Sequence, residues 1–353
     1  MKLSRATFSK RLTEIREQAA DLSKVVGGVV SHYRSGQAAP ESARRAVLRL
    51  HCETNGRTTD YLESVVRRLR PARPHIPVRG MLDESLTREK RQEIADMIRR
   101  DGFYVFPQRI PADICNQIEE FARTTPATIE GGGREPEHRK LFESNSPVSK
   151  IYRFVEEDSI NAPCIQRVMA DPTFLAVAES YLQTLPILSN VNAWWSATYG
   201  DTPGDDAAQE FHFDFDPPPK WLNFFIYLND VGSANGPHIY VRGSHVARHP
   251  AAADLLKRGY VRIQDEDIAQ AFGAENVIEI TGPRGTVIAA DTRGFHKGKM
   301  LTAGYRLMLQ FTFSSPLFSR ANALNIKFGG AFHPELAEAI KATPTVFSRY
   351  LSV

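Results

Sequence analysis

Cysteine is scarce in this 353-residue chain. There are three, Cys52, Cys115 and Cys164. They are too widely spaced for a CxxC metal knuckle or a disulfide framework. They read as reduced, buried thiols, which points to a cytoplasmic protein. Long apolar runs are also missing, so no membrane-spanning helix is expected. The segment Lys24-Val25-Val26-Gly27-Gly28-Val29-Val30 is too short and too broken by glycine for a secretory core. No tract is low in complexity, and 42% hydrophobic with 24% charged residues is a globular composition.

A strong overall charge is absent too: the formal net value is +3. The charge is unevenly spread, because residues 1–80 hold 16 Lys and Arg against 7 Asp and Glu. The plainest reading is a set of solvated helix faces. A contact surface for nucleic acid, membrane headgroups or an acidic partner is the sharper one. Aromatic residues are few among the basic ones, so nucleic acid is not the expected partner. Pairing of the N-terminal helices in a homo-oligomer is preferred.

Hydrophobic periodicity predicts helices over 5–33 and 41–70. The proline-rich stretch from Arg70 to Pro77 cannot be helix interior. It is the candidate boundary between a basic helical extension, 1–80, and a larger domain, 84–353. That domain opens with a helix from about 85 to 100, a buried strand at Phe103–Phe106 and a helix from Pro111 through Phe121. Residues 126–150 read as a long loop, a turn or a lid. Their run Gly131-Gly132-Gly133 lacks the trailing Gly-Lys-Ser/Thr of a phosphate loop. From 186 onward strands follow one another: Leu188–Thr198, Phe211–Phe215, Leu222–Leu228, His238–Val241, Val277–Ile280, Thr286–Ala290 and Tyr305–Ser314. Proline and glycine turns separate them, so the expected class is mainly β with flanking helices, a sandwich or barrel. Pro334–Tyr350 reads as a C-terminal helix.

Within the second of these strands, His212 and Asp214 are two residues apart and project to one face, so one metal ion could touch both. With ten histidines in the chain, that spacing alone is weak. His51-Cys52-Glu53 repeats it, but in a helical stretch, where residues i and i+2 do not face each other. A distant second histidine, His296, can complete a two-histidine, one-carboxylate set. Such a set leaves coordination positions open and suits non-haem Fe(II) oxygenases. Arg306 follows in the strand Tyr305–Phe313, on the same face as Met308, Gln310 and Thr312. A guanidinium in so apolar a strand needs an anion. Either an internal carboxylate or a bidentate carboxylate of a small cofactor would serve.

In order along the chain, Asp101-Gly102-Phe103-Tyr104-Val105, His212-Phe213-Asp214, Asn235-Gly236-Pro237 through Arg242-Gly243-Ser244-His245, Asp291-Thr292-Arg293 leading to His296, and Arg306 resemble the phytanoyl-CoA dioxygenase family. These are Fe(II)/2-oxoglutarate oxygenases, and the resemblance spans roughly 90–320. It implies a double-stranded β-helix, the jelly-roll core of cupin-like proteins. It also implies iron on His212, Asp214 and His296, and Arg306 pairing the distal carboxylate of 2-oxoglutarate. Two positions depart from the family pattern. Arg242 stands where proline is common, and Gly298 where a hydroxyl residue often assists the arginine. Thr302 or Thr312 can replace that hydroxyl, and Asn192 is a further candidate contact.

His245 reads as a structural hydrogen-bonder. His238 is the better rival for metal but has Tyr240, not a carboxylate, at i+2. Of Trp194 and Trp195, one faces core and the other can line a substrate pocket; Trp194, Tyr152 and Arg153 are the substrate candidates. The expected reaction consumes O2 and 2-oxoglutarate, releases succinate and CO2, and hydroxylates a small molecule. Retention of Asp214 favours hydroxylation over halogenation. The rival reading is a non-catalytic metabolite- or sugar-binding β-barrel with a vestigial metal site.

Overall fold

Seven consecutive buried residues, Trp221–Tyr227, form the strand around which the chain is layered. A continuous apolar run of this length fits a strand covered on both faces. The computed structural model describes residues 5–35, 39–73, 78–129, 138–200, 208–215, 220–246, 249–316, 326 and 328–351. The glycine run at 131–133, the prolines at 74 and 77 and the proline turn at 217–219 lie outside them.

The helices are α1 (Arg5–Ser35), α2 (Glu41–Glu53), α3 (Arg57–Leu69), α4 (Arg88–Asp101), α5 (Ala112–Thr124), α6 (Glu156–Asn161), α7 (Pro163–Ala170), α8 (Pro172–Leu182), α9 (Pro250–Leu256), α10 (Asp265–Phe272) and α11 (Pro334–Ala342). The strands are β1 (Val78–Gly80), β2 (Asp83–Leu86), β3 (Phe103–Val105), β4 (Ala127–Ile129), β5 (Arg139–Lys140), β6 (Ile151–Arg153), β7 (Ile187–Ala197), β8 (Trp221–Tyr227), β9 (His238–Val241), β10 (Val277–Ile280), β11 (Val287–Ala290), β12 (His296–Gly298) and β13 (Tyr305–Ser314).

A large sheet runs β3-β11-β8-β13-β7-β6-β4-β5, and a smaller one runs β10-β9-β12. Phe211–His212 joins the smaller sheet through a bridge from His212 to His296. From β7 onward the chain therefore passes from sheet to sheet, pausing only between β9 and β10. This winding is the double-stranded β-helix, a jelly roll. Alternation sorts its side chains. In β13, Leu307, Leu309, Phe311 and Phe313 join Leu222, Phe224 and Ile226 of β8 in a core shared with the helices, Ile98, Ile118 and Phe174 among them. The opposite face of β8 and β13 supplies Phe225, Tyr227 and Met308 to the space between the sheets.

Local signals explain the element ends. Thr87 caps α4 by accepting from the Lys90 amide at 3.3 Å. Gly102 closes it in the left-handed region, at φ 90°, where a Cβ would strike the Tyr240 ring. Three expectations need correction. The helix expected over 41–70 is two helices, because Asn55 (φ 49°) and Gly56 (φ 76°) take left-handed conformations that reverse the chain between them. Phe211–Phe215 is no regular strand; only Phe211 and His212 make isolated bridges, to Ile263 and His296. The C-terminal helix stops at Ala342, since Pro344 disfavours a helical Thr343 and cannot continue the turn.

The N-terminal helices pack on the jelly roll. Val25, Ala46, Val47, Leu50 and Val66 form their own core, against which Phe215 also packs. Arg49 clamps Asp21 between α1 and α2 through bonds of 2.7 and 2.6 Å. From α2, the His51 ring meets Phe213 at 6.1 Å and Phe215 at 4.8 Å. From α3, the buried Glu63 faces Lys220 and Arg293. Burial pushes the Glu63 carboxyl up to about 7 and the Lys220 ammonium down to about 8. Between about 4.5 and 7 the folded chain keeps the Glu63 proton that the unfolded chain has lost, so stability falls as pH rises through that window. Glu63→Gln should therefore raise the melting temperature at pH 8, with the gain vanishing near pH 5. Calorimetric melts at the two pH values check this, and an equal shift at both would reassign the effect to packing.

Candidate active site

Alternation survives at 211–215 although the strand does not. Phe211 and Phe213 turn outward into a core covered by α9 and α10. His212 and Asp214 turn the other way and line a cavity of about 270 Å³ between the two sheets. Backbone bonds hold this segment. The His212 amide donates to the His296 carbonyl at 3.0 Å, His296 returns the bond at 2.8 Å, and the Asp214 amide donates to the Thr292 carbonyl at 2.7 Å.

The three side chains converge. His212 Nε2 lies 3.8 Å from Asp214 Oδ1, and His296 Nε2 lies 3.6 Å from Asp214 Oδ2. One ligand atom from each falls within 4.8 Å of the others. His212 Nδ1 is 2.8 Å from the Glu210 carbonyl, and His296 Nδ1 is 2.9 Å from the Gly294 carbonyl. A carbonyl only accepts, so each Nδ1 carries the proton and each Nε2 presents a lone pair. Burial, with His296 beside it, pushes His212 well below the usual imidazole range, so it is neutral and ready to ligate. Two imidazole lone pairs and a carboxylate facing one point fit a divalent transition metal.

Arg306 enters the same cavity from β13. It is 4% exposed, and its Nη2 donates to Ser196 Oγ at 3.2 Å while Nη1 donates to the Gly236 carbonyl. Among the described residues its buried Nε has no hydrogen-bond partner. No carboxylate pairs with it among the described residues. Burial accordingly pulls the guanidinium below its ordinary value. A buried cation without an anion is a site for one.

The segment carrying His296 is braced from behind. Asp291 is fully buried and accepts from Tyr181 Oη at 2.6 Å and Arg293 Nη2 at 2.6 Å. Tyr240 Oη donates to its carbonyl at 2.6 Å. Burial alone would raise the Asp291 carboxyl, but Arg293 outweighs it and holds the group below the usual carboxylate range. Next door, Thr292 Oγ1 accepts from Trp221 Nε1 at 2.8 Å and Asn223 Nδ2 at 2.7 Å.

Asn192, Trp194 and Arg153 line the cavity, and the Arg153 guanidinium sits over the Trp194 ring at 5.7 Å. Three expected contacts do not. Tyr152 has the opposite parity on β6, lies in the helix-side core and accepts from the Val148 amide at 2.6 Å. Thr302 is exposed on the loop before β13, where its amide is spent on the Ala234 carbonyl at 2.9 Å. Thr312 donates to Asn223 instead of reaching Arg306. The hydroxyl beside Arg306 is Ser196, its cross-strand neighbour, which the sequence reading missed. Its parity with Asn192 and Trp194 was the available signal. His245 is structural, 3.1 Å from the Arg99 carbonyl.

An open two-histidine, one-carboxylate cluster beside a cationic pocket for an anion is the arrangement of iron- and 2-oxoglutarate-dependent oxygenases, and this protein is an enzyme of that class. The sequence model of phytanoyl-CoA dioxygenase (PhyH) matches residues 98–308, and the chain belongs to that family. A search of curated proteins finds no match. Among solved structures it is similar to EctD from S. alaskensis with bound Fe, at 20% identity and TM-score 0.45, covering 70% of this chain and 87% of that one. It is also similar to the epimerase SnoN in complex with Fe3+, alpha ketoglutarate and nogalamycin RO, at 17% and 0.45 over 64% and 84% of the two chains. AviO1 from Streptomyces viridochromogenes follows at 18% and 0.42 over 64% and 95%.

Asp291→Asn should destabilise the fold by about 3–5 kcal/mol, because it leaves Arg293 buried beside an uncharged partner. Urea unfolding measures it, and a change below about 1 kcal/mol would show that the pair is dispensable.

Proposed function

We propose that the protein hydroxylates a small-molecule metabolite, with His212, Asp214 and His296 holding Fe(II) and Arg306 holding 2-oxoglutarate. The observation that carries this reading is Arg306: a buried guanidinium with no carboxylate partner among the described residues, opening into the cavity that the metal cluster shares. A dicarboxylate laid between them places one end at the cluster and the other at a fixed cation. Iron with 2-oxoglutarate and O2 supplies an oxidant as the co-substrate is converted to succinate and CO2.

The chain's own part is positioning. The two Nδ1–carbonyl bonds orient the imidazoles so that their Nε2 atoms need no reorganisation to ligate. Ser196 and the Gly236 carbonyl fix the guanidinium plane. Trp194, with Arg153 over its face, and Asn192 form the wall left for the substrate. Asp214 is retained, which supports hydroxylation over halogenation. The buried thiols of Cys52, Cys115 and Cys164 fit a cytoplasmic setting. No helix of the described residues is long and apolar enough to cross a membrane. On α1, Ile15, Leu22 and Val26 are exposed and offer a face for pairing with a second copy.

His212→Ala and Asp214→Ala should each abolish succinate release from 2-oxoglutarate; either variant retaining it with iron present would remove the metal assignment. Arg306→Ala should weaken 2-oxoglutarate binding by roughly 2–5 kcal/mol, the scale of a lost buried charged partner. Calorimetric titration reads that loss, and an unchanged dissociation constant would make Arg306 structural.

A further inference from the structure

Between the metal cluster and Arg306 stands a third histidine that neither role uses. His238 is 5% exposed and lines the cavity. Its ring packs 5.5 Å from that of His296 and 4.8 Å from that of Phe225. It lies outside the set of converging ligand atoms. On β12 its cross-strand partner is Gly298, which has no side chain to screen the imidazole from the cavity. Two residues before it, Gly236 uses its carbonyl to hold Arg306. The backbone amide of His238 donates to Tyr227 Oη at 2.9 Å. One turn therefore sets both the guanidinium and the imidazole.

Among the described residues, His238 Nε2 is buried and has no hydrogen-bond partner, as is true of Arg306 Nε. A buried polar atom left unpaired is destabilising, so such atoms are normally satisfied by something. Here two of them flank one cavity. The ring packs against those of Phe225 and His296 and lines the cavity, so its unpaired Nε2 is available to the cavity's occupant.

We propose that His238 is a further co-substrate-binding residue, donating a ring N–H to a carboxylate oxygen of the 2-oxo acid held between Arg306 and the metal cluster. The inference rests on the 2-oxoglutarate reading of the site.

The test is calorimetric titration of 2-oxoglutarate into full-length protein loaded with Mn(II), for the wild type, His238→Phe and His238→Gln. A hydrogen bond to a charged group predicts a loss of about tenfold or more for His238→Phe. His238→Gln keeps an N–H donor and should stay within about threefold of wild type. Mn(II) affinity should be the same in all three, since His238 is not a metal ligand. His238→Leu replaces the phenylalanine variant if that chain fails to fold. Wild-type affinity in the variant without a donor would overturn the proposal, as would a parallel loss of Mn(II) binding. If wild-type protein binds Mn(II) but not 2-oxoglutarate, the co-substrate reading fails and this inference falls with it.

Discussion

A pair of backbone hydrogen bonds, exchanged between His212 and His296, is the constraint on which the site depends. It joins two irregular ends of distant segments edge to edge. Their side chains then face one cavity without any loop having to be ordered by a ligand. The neighbouring bond from the Asp214 amide to the Thr292 carbonyl sets the third side chain in the same way. Because backbone atoms make these bonds, the cluster is held by the fold and not by its own weakly attracted polar groups.

That arrangement is braced from both sides. Behind His296, Asp291 ties together Arg293, Tyr181 and, through its carbonyl, Tyr240. Outside His212 and Asp214, Phe213 and Phe215 meet His51 of α2, and α3 brings Glu63 against Lys220. The N-terminal helices are thus packed on the outer side of the very segment that bears two of the three cluster residues. A few aromatic contacts, His51 to Phe213 and Phe215, join those helices to the site.

Much of the fold was legible because period-two alternation and turn residues survive in the chain. Three strands, His238–Val241, Val277–Ile280 and Tyr305–Ser314, have the bounds read from sequence. Failures came where a local conformation overrode a periodic pattern. Asn55 and Gly56 broke a helix whose apolar spacing continued on either side. At 211–215 the alternation persisted while the ladder bonds did not. In the site, parity put Trp194 and Trp195 on opposite faces, and Tyr152 and Arg153 likewise, but not which of each pair faces the cavity; the fold sent Trp195 and Tyr152 to the core and Trp194 and Arg153 to the cavity.

The chain by itself determined the class of chemistry: the types of the candidate metal ligands, the spacing of His212 and Asp214 on one face, and a guanidinium in an apolar strand are local properties that each segment carries in its own order. Which hydroxyl stands beside that guanidinium, which histidine is left unpaired in the cavity and what covers the metal-bearing segment were decided only by tertiary structure. Ser196 reaches Arg306 and His238 faces Gly298 through cross-strand register. Register is a relation between strands, set by how two sheets close on each other, and no single segment contains it.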